Sequence, residues 1–298
     1  MKSFLKWTLE RAVKHDGAWH FINATLVRAS DYAKMKRLEV RGREPTESDV
    51  FVLDALRCVS PSLTVRSGPF KGMRYPSGKS LGSTLAPKIL GSYESELAWV
   101  MEEICSKPYS QIIDIGCAEG YYAVGLAMRI GTAKVIAFDI NEEAIAACLA
   151  MARINGVADR LVTRSFCDAE ALKNVPLTEK ALIISDCEGY EKELFTAELV
   201  PHLAKHDLLI EVHDFMDIEI SSLIRQRFQG THCIATIRSV DDITKAHTYS
   251  FTELEGFSLA QKRQLLAEGR PAIMEWLYMT PIQIQSDSKA AAVCALPT

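Results

Sequence analysis

Residues 112–120 read Ile-Ile-Asp-Ile-Gly-Cys-Ala-Glu-Gly. The apolar run from Ile112 to Ile115, with Asp114 inside it, stops at Gly116, and a second glycine follows at Gly120. Tyr121 to Met128 then places apolar residues at helical spacing. A buried strand, a glycine turn and a helix make the first unit of a parallel α/β sheet, a fold in which small ligands bind beyond the carboxyl ends of the strands.

Working outward, regular alternation predicts strands at 111–115, 134–138, 161–165, 181–185 and 207–212, with helices between them. The clearest helix runs from Asn141 to Asn155. Asn141 can cap it, Glu142 and Glu143 suit the positive end of its dipole, and Gly156 suits its exit. Beyond 214 the pattern predicts a helix over 218–228, a strand at 233–237, a polar helical insert at 252–268 and a last strand at 272–279. Upstream, residues 1–60 read as helices broken at 41–45, residues 62–75 as a short hairpin punctuated by Gly and Pro, and 94–105 as a helix. The chain thus divides into an N-terminal helical and hairpin segment (1–76), an α/β domain (77–283) with an insert at about 241–270, and a flexible tail (284–298).

Bulk properties narrow the class. The 298 residues are 48% hydrophobic and 24% charged, enough for a substantial core. Net charge is −4, split as 14 Lys/Arg against 8 Asp/Glu in residues 1–75 (+6) and −10 in the remainder. A basic arm can touch nucleic acid or anionic lipid, but this one reads as a solvated helical face, and the segment is expected to serve substrate contact or self-association. Eight cysteines form no C-x-x-C pair, which points to a reduced cytoplasmic protein without a thiolate zinc site. No apolar run approaches the roughly 20 residues a membrane span needs, and the first residues lack the apolar stretch of a signal peptide.

The turn has its own chemistry. A dinucleotide fingerprint requires small residues where backbone meets pyrophosphate. Here the spacing is Gly116-x-x-x-Gly120, with Tyr121 next. Asp114 and Glu119 bracket the turn, which would repel a pyrophosphate and attract a ligand carrying an ammonium and a sulfonium, namely S-adenosylmethionine. Asp139, ending the second strand, can accept both ribose hydroxyls. At the end of the third, Asp168 can accept the adenine amino group while Phe166 or Ile140 flanks the ring.

The order DIGCAEG (114–120 with its strand), AFDIN (137–141) and FCDAEAL (166–172) resembles the class I S-adenosylmethionine-dependent methyltransferases over about 110–280. IISDCEGYEKELF (183–195) and LLIEVHDF (208–215) resemble the FkbM-type branch, and PKILGSYE (87–94) resembles the segment that precedes its cofactor turn. The resemblance implies a Rossmann-like methyltransferase fold with a seven-stranded, mostly parallel sheet covered by helices on both faces. It also implies a cofactor site of Tyr93, Glu94, Asp114, Gly116, Cys117, Ala118, Glu119, Gly120, Asp139, Ile140, Asp168, Ala169 and Asp186. Ala118 departs from the pattern, since many methyltransferases carry glycine there.

Asp186 and Glu188 end the fourth strand, and Glu211 and His213 the fifth; residues two apart on a strand share a face. His213 is the first candidate for the base that takes the acceptor's hydroxyl proton, followed by Asp186 and Glu188. Asp186, Glu211 and His213 can alternatively hold Mg²⁺, which would acidify that hydroxyl. Glu191 reads as a helix-cap or ion-pair residue, and the insert as a substrate lid. The expected activity is O-methylation of a small-molecule, glycosyl or polyketide-like acceptor, without nucleic acid: the Asn/Asp-Pro-Pro-aromatic motif is missing after the fourth strand, and the cleft acids oppose phosphates. The alternatives are an N-methyltransferase or one acting on a macromolecule, and a non-catalytic adenosyl-binding scaffold.

Overall fold

The computed structural model describes residues 46–177 and 180–282. Contacts group the chain into two compact units, 1–50 and 51–298. Nearly all of the first, including the helices expected over 1–45, lies outside the described residues, as does the tail.

In the second unit the seven predicted strands form one sheet in the order β3-β2-β1-β4-β5-β7-β6. They are β1 (Gln111–Ile115), β2 (Lys134–Phe138), β3 (Leu161–Arg164), β4 (Ala181–Ser185), β5 (Asp207–Val212), β6 (His232–Arg238) and β7 (Glu275–Pro281). The first five run parallel, and β7 lies antiparallel between β5 and β6. This is the Rossmann-like methyltransferase arrangement. Each parallel strand is short and buried from end to end except β2 at its start and β3 at the sheet edge, as expected where helices cover both faces.

Alternation along the strands divides the core in two. Ile112, Leu182, Ile184, Leu209 and Trp276 belong to one cluster. It includes residues of α3 (Ala98–Ser106), α4 (Tyr121–Arg129) and α5 (Glu142–Ile154). The preceding helices are α1 (Glu47–Val59) and α2 (Leu85–Leu90). Ile113, Ile115, Ile183, Leu208 and Ile210 form the other cluster. The helices on that side are α6 (Ala169–Lys173), α7 (Glu191–Leu194), α8 (Val200–Leu203) and α9 (Ile220–Phe228). Asn141 caps α5 by accepting the Glu143 N–H at 2.9 Å, and Gly156 leaves it at φ +69°.

Three local expectations change. The 62–75 stretch forms a single antiparallel bridge, Thr64 to Arg74, rather than two strands, yet Val65, Phe70, Met73 and Tyr75 join the core of the α/β unit. Phe70 lies against Gly125 of α4, where a Cβ would stand 2.5 Å from its ring. The helix expected from 94 begins only at Ala98, because Glu94 sits at φ +48° and a 3₁₀ turn occupies Ser95–Leu97. The insert is two helices, α10 (Asp242–Thr248) and α11 (Leu259–Leu266), joined through a 3₁₀ turn. No helix among the described residues is long and apolar enough to cross a membrane. Among the described residues, Cys58, Cys105, Cys117, Cys148, Cys167 and Cys187 are free thiols.

Candidate active site

A cavity of about 440 Å³ opens where β1, β2, β3 and β4 end. Its floor is the glycine turn. The Gly116 and Cys117 N–H groups donate to the Phe138 carbonyl at 2.9 and 3.0 Å, folding the turn over β2. Gly116 has φ +84°, and a Cβ there would lie 1.7 Å from the Asp186 carbonyl oxygen, so no other residue fits. Gly120 has φ +96°, and its Cβ would meet the Cys148 sulfur at 2.8 Å. Ala118 adopts φ +46°, a left-handed conformation that costs an alanine roughly 1 kcal/mol. That is the physical sense of the glycine found there in many methyltransferases.

Of the residues singled out in the sequence, Tyr93, Asp114, Gly116, Cys117, Ala118, Asp139, Ile140, Asp186 and Glu188 line this cavity. Asp139 accepts the Ala118 N–H at 2.9 Å and the Asn141 N–H at 2.8 Å, which fixes its carboxylate at the end of β2. Ile140 and Phe166 stand 79% and 52% exposed on the rim, two apolar groups able to flank a flat ring. Asp114 is buried, and its Oδ2 has no hydrogen-bond partner among the described residues. Burial, then the charge of Asp186, pushes its carboxyl up to about 7.

Other predicted residues lie outside the cavity wall. Glu119 is buried with Lys88 Nζ 2.5 Å from its Oε1, and it accepts from Ser80 Oγ (2.7 Å) and the Leu81 N–H (3.0 Å). Its charge is therefore met within the protein. Burial acts upward on this carboxyl, but Lys88, Leu81 and Ser80 together hold it below the usual range. Asp168 caps α6 by accepting the Ala171 N–H at 2.7 Å, with Ala169 the first residue of that helix. Ser165, Phe166 and Cys167 form the cavity wall instead. Glu94 accepts from the Tyr122 hydroxyl and from Arg270, and burial raises it to about 8.

Beyond the cavity, at the ends of β4 and β5, lies a buried polar cluster. His213 Nδ1 is 2.7 Å from Glu191 Oε1, and its Nε2 is 3.4 Å from Asp186 and 3.7 Å from Glu188. The same Glu191 oxygen accepts the Gly189 N–H at 3.2 Å. An oxygen that already accepts a backbone N–H reads as the acceptor for Nδ1–H as well. Burial would lower the imidazole, but the Glu191 hydrogen bond and charge, with Asp186 and Glu188 adding theirs, hold His213 above its ordinary value. Burial pushes Asp186 up, despite His213. Glu188 sits at φ +53° with its side chain 71% exposed, a strained position of the kind that gathers at functional sites.

Asp186, Glu211 and His213 offer ligand atoms within 4.8 Å of one another. Arg270, however, donates to Glu211, and its guanidinium also meets Glu94 and Glu268. A cation is thus already placed against one of the three, and the set fits Mg²⁺ poorly, so no step here is derived through a metal. Glu191, Lys88 and Arg270 are the residues the sequence did not single out as functional. The position of Glu191 within the stretch IISDCEGYEKELF (183–195) was the one available signal.

Residues 106–248 match the sequence model of a methyltransferase domain. The matched stretch is just under half of the chain and carries the glycine turn and the ends of β1 to β5, while Lys88, Tyr93, Glu94 and Arg270 come from outside it. Among curated proteins, the ribosomal protein L11 methyltransferases of Glaesserella parasuis serovar 5 (strain SH0165) and Enterobacter sp. (strain 638) are each 46% identical over 50 residues. The match covers 17% of this chain and 17% of theirs, so the chain spans about a sixth of the length of these relatives. Among solved structures, precorrin-6y C5,15-methyltransferase from Geobacter metallireducens GS-15 is 12% identical with a TM-score of 0.43, covering 64% of this chain and 90% of that one. TrmN from Thermus thermophilus is 11% identical with a TM-score of 0.41, covering 64% and 51%.

The cavity wall thus combines the buried Asp114, the Asp139 carboxylate at the end of β2 and the exposed apolar side chains of Ile140 and Phe166.

Proposed function

We propose that the protein transfers a methyl group from S-adenosylmethionine to the hydroxyl of a small acceptor with an apolar body, and that it belongs with the FkbM-type enzymes. The observation that carries the cofactor half is Asp114. Asp114 lines the cavity and its Oδ2 is buried with no hydrogen-bond partner among the described residues, a costly state for a carboxylate that a cation bound beside it would offset. The FkbM assignment rests on the sequence patterns at 186–191 and 208–215.

When bound, the cofactor supplies a methyl group on a sulfonium centre. What remains for the protein is to align an acceptor oxygen and to receive its proton. Asp186 lines the cavity, whereas His213 stands behind it. Asp186 is therefore the group that meets the hydroxyl. His213 brings its Nε2 to 3.4 Å from Asp186 Oδ1, where a protonated imidazole attracts the carboxylate, and Glu191 fixes His213 through Nδ1. This order moves His213 from first base to positioning residue.

The acceptor side is apolar. Phe215, Met216 and Ile218 follow His213 and are 47%, 59% and 79% exposed. The loop that carries them is firmly held: Asp214 accepts from Ser221 N and Oγ, and Asp217 pairs with Lys192 at 2.9 Å. Met216 packs on Gly189 of the β4 loop, where a Cβ would lie 3.0 Å from its sulfur. A rim of this kind, beside Asp186 and Glu188, favours an uncharged acceptor over a phosphorylated one or a nucleic acid. The 50-residue likeness to ribosomal protein methyltransferases favours a second reading, transfer to a protein. A mass increase of one methyl group on a small molecule rather than on a polypeptide separates the two. A cytoplasmic location, and self-association through residues 1–76, belong to the same proposal and rest on the cysteine pattern and the basic N-terminal segment.

Calorimetry with S-adenosylmethionine and with NAD tests the cofactor. Heat is expected from the first alone, and its absence would overturn the reading. For the positioning pair, His213→Ala and Glu191→Leu should each lower kcat on the order of 10²-fold with the cofactor Kd nearly unchanged. Glu191→Gln, which keeps an acceptor for Nδ1–H, should recover most of that loss. Turnover of Glu191→Leu within threefold of the parent would remove Glu191 from the mechanism.

A further inference from the structure

The methionine end of S-adenosylmethionine carries a carboxylate as well as an ammonium, and Asp114 can serve only the ammonium. We propose that Lys88 is the receptor for the cofactor's carboxylate. The inference rests on the cofactor reading above and concerns a residue that neither the turn motif nor the acids of the strand ends include.

Lys88 lies on α2, is 2% exposed, and lines the cavity. Among the described cavity-lining residues it is the single lysine or arginine. Two other cations stand nearby and outside the cavity wall: the partly buried Arg270, taken by Glu94, Glu211 and Glu268, and the buried Lys245, paired with Glu268. A lysine ammonium has three N–H donors. One reaches Glu119 Oε1 at 2.5 Å and one reaches Ser80 Oγ at 3.1 Å. A third hydrogen bond is missing among the described residues. The head is also walled by cavity residues, since Nζ stands 4.9 Å from the Tyr93 ring centre and 5.5 Å from that of Tyr121.

Stability alone gives little reason for this lysine. A buried ion pair can often be replaced by apolar residues of similar volume without loss. Lys88 and Glu119 nevertheless place a fixed, charged donor at a cavity wall, with Glu119 and Ser80 setting its position. An incoming carboxylate would complete the third donor with a charge-assisted hydrogen bond. The zwitterionic end of the cofactor would then be read at both groups, Asp114 taking one and Lys88 the other.

The test compares S-adenosylmethionine with its decarboxylated form, which keeps the adenosine, sulfonium and amine and lacks only the carboxylate. Calorimetry on the full chain should show the parent protein binding the intact cofactor roughly 10- to 100-fold more tightly, the worth of one hydrogen bond between charged groups. Lys88→Met should abolish most of that preference by weakening the intact cofactor alone. The double variant Lys88→Met/Glu119→Leu, which leaves no buried Glu119 unpaired, should do the same, and binding of the decarboxylated form serves as the control for folding. The proposal is overturned if the parent does not discriminate between the two ligands, or if the variants weaken both in parallel or neither. No heat from either ligand on the parent would instead sink the cofactor reading.

Discussion

Replacing Asp114 by Asn is expected to weaken S-adenosylmethionine binding by 10²-fold or more while making the ligand-free protein more stable. Both effects come from one cause. The carboxylate is buried, one oxygen is unpartnered, and Asp186 lies near enough to add a second negative charge. Its folded value of about 7 stands above the ordinary 3.8. A group raised on folding favours the folded state most at low pH and loses that contribution as pH rises through its folded value. The shift of about three units corresponds to an order of 4 kcal/mol. Stability of the ligand-free protein should therefore decline between about pH 4 and pH 7, and Asp114→Asn should flatten that decline. Cofactor affinity should move the opposite way, rising up to about pH 7 as Asp114 ionises, with uptake of the cation releasing up to one proton. Thermal melts across pH, with and without cofactor, read both. A variant that binds the cofactor like the parent would remove Asp114 as the ammonium partner.

Glu119→Leu is expected to destabilise the fold by roughly 3–5 kcal/mol, because it leaves the Lys88 ammonium buried without its charge partner. Lys88 and Glu119 side chains are 3% and 4% exposed, so solvent screening gives little relief. For a domain of this size the melting temperature should fall by roughly 10 °C. The double variant with Lys88→Met should recover most of the loss, since no lone charge remains. The pH dependence has the opposite sign from that of Asp114. A carboxyl depressed in the folded state stabilises it above its unfolded value near 4.5, and the contribution is lost as pH falls through the folded value. Urea titrations at pH 7 and pH 4 check this: the gap between parent and Glu119→Leu should narrow at the lower pH. A variant within 1 kcal/mol of the parent at pH 7 would show that the buried Lys88 does not depend on Glu119 for its charge balance.

What the sequence made legible were the features set by neighbours along the chain. The strand of 111–115, the glycines of the turn, the Asn141 cap and the Gly156 exit all depend on residues within a few positions of one another. They appear in the structure where local chemistry puts them. Charge was less legible, because a charge is visible in a sequence and its partner is not. Glu119 looked like an acid offered to a ligand, but Lys88, 31 residues away, neutralises it. Glu191 looked like a cap or an ion-pair residue, but its partner, His213, 22 residues away, was not visible, nor its place in the cluster at the ends of β4 and β5. Arg270 carried no local pattern, and its meaning comes from carboxylates 59 and 176 residues distant. Asp168 shows a local role beside the expected distant one: it accepts the N–H of Ala171, three residues on. The Asp186–Glu188 and Glu211–His213 pairs were legible because a strand's two-residue period is local, even though the meeting of the two strands is not.

The contact between position 116 and the Asp186 carbonyl has a bearing on how such a protein can diversify. With 1.7 Å between that oxygen and where a Cβ would be, the first turn and the end of β4 are fitted to each other at the level of a single hydrogen atom. Lineages free to remodel the loop after β4, and so to take up new acceptors, must do so around a backbone held in place by the cofactor turn. Novelty is accordingly easiest in the segments that do not touch this joint, the 214–219 loop and the insert between β6 and β7.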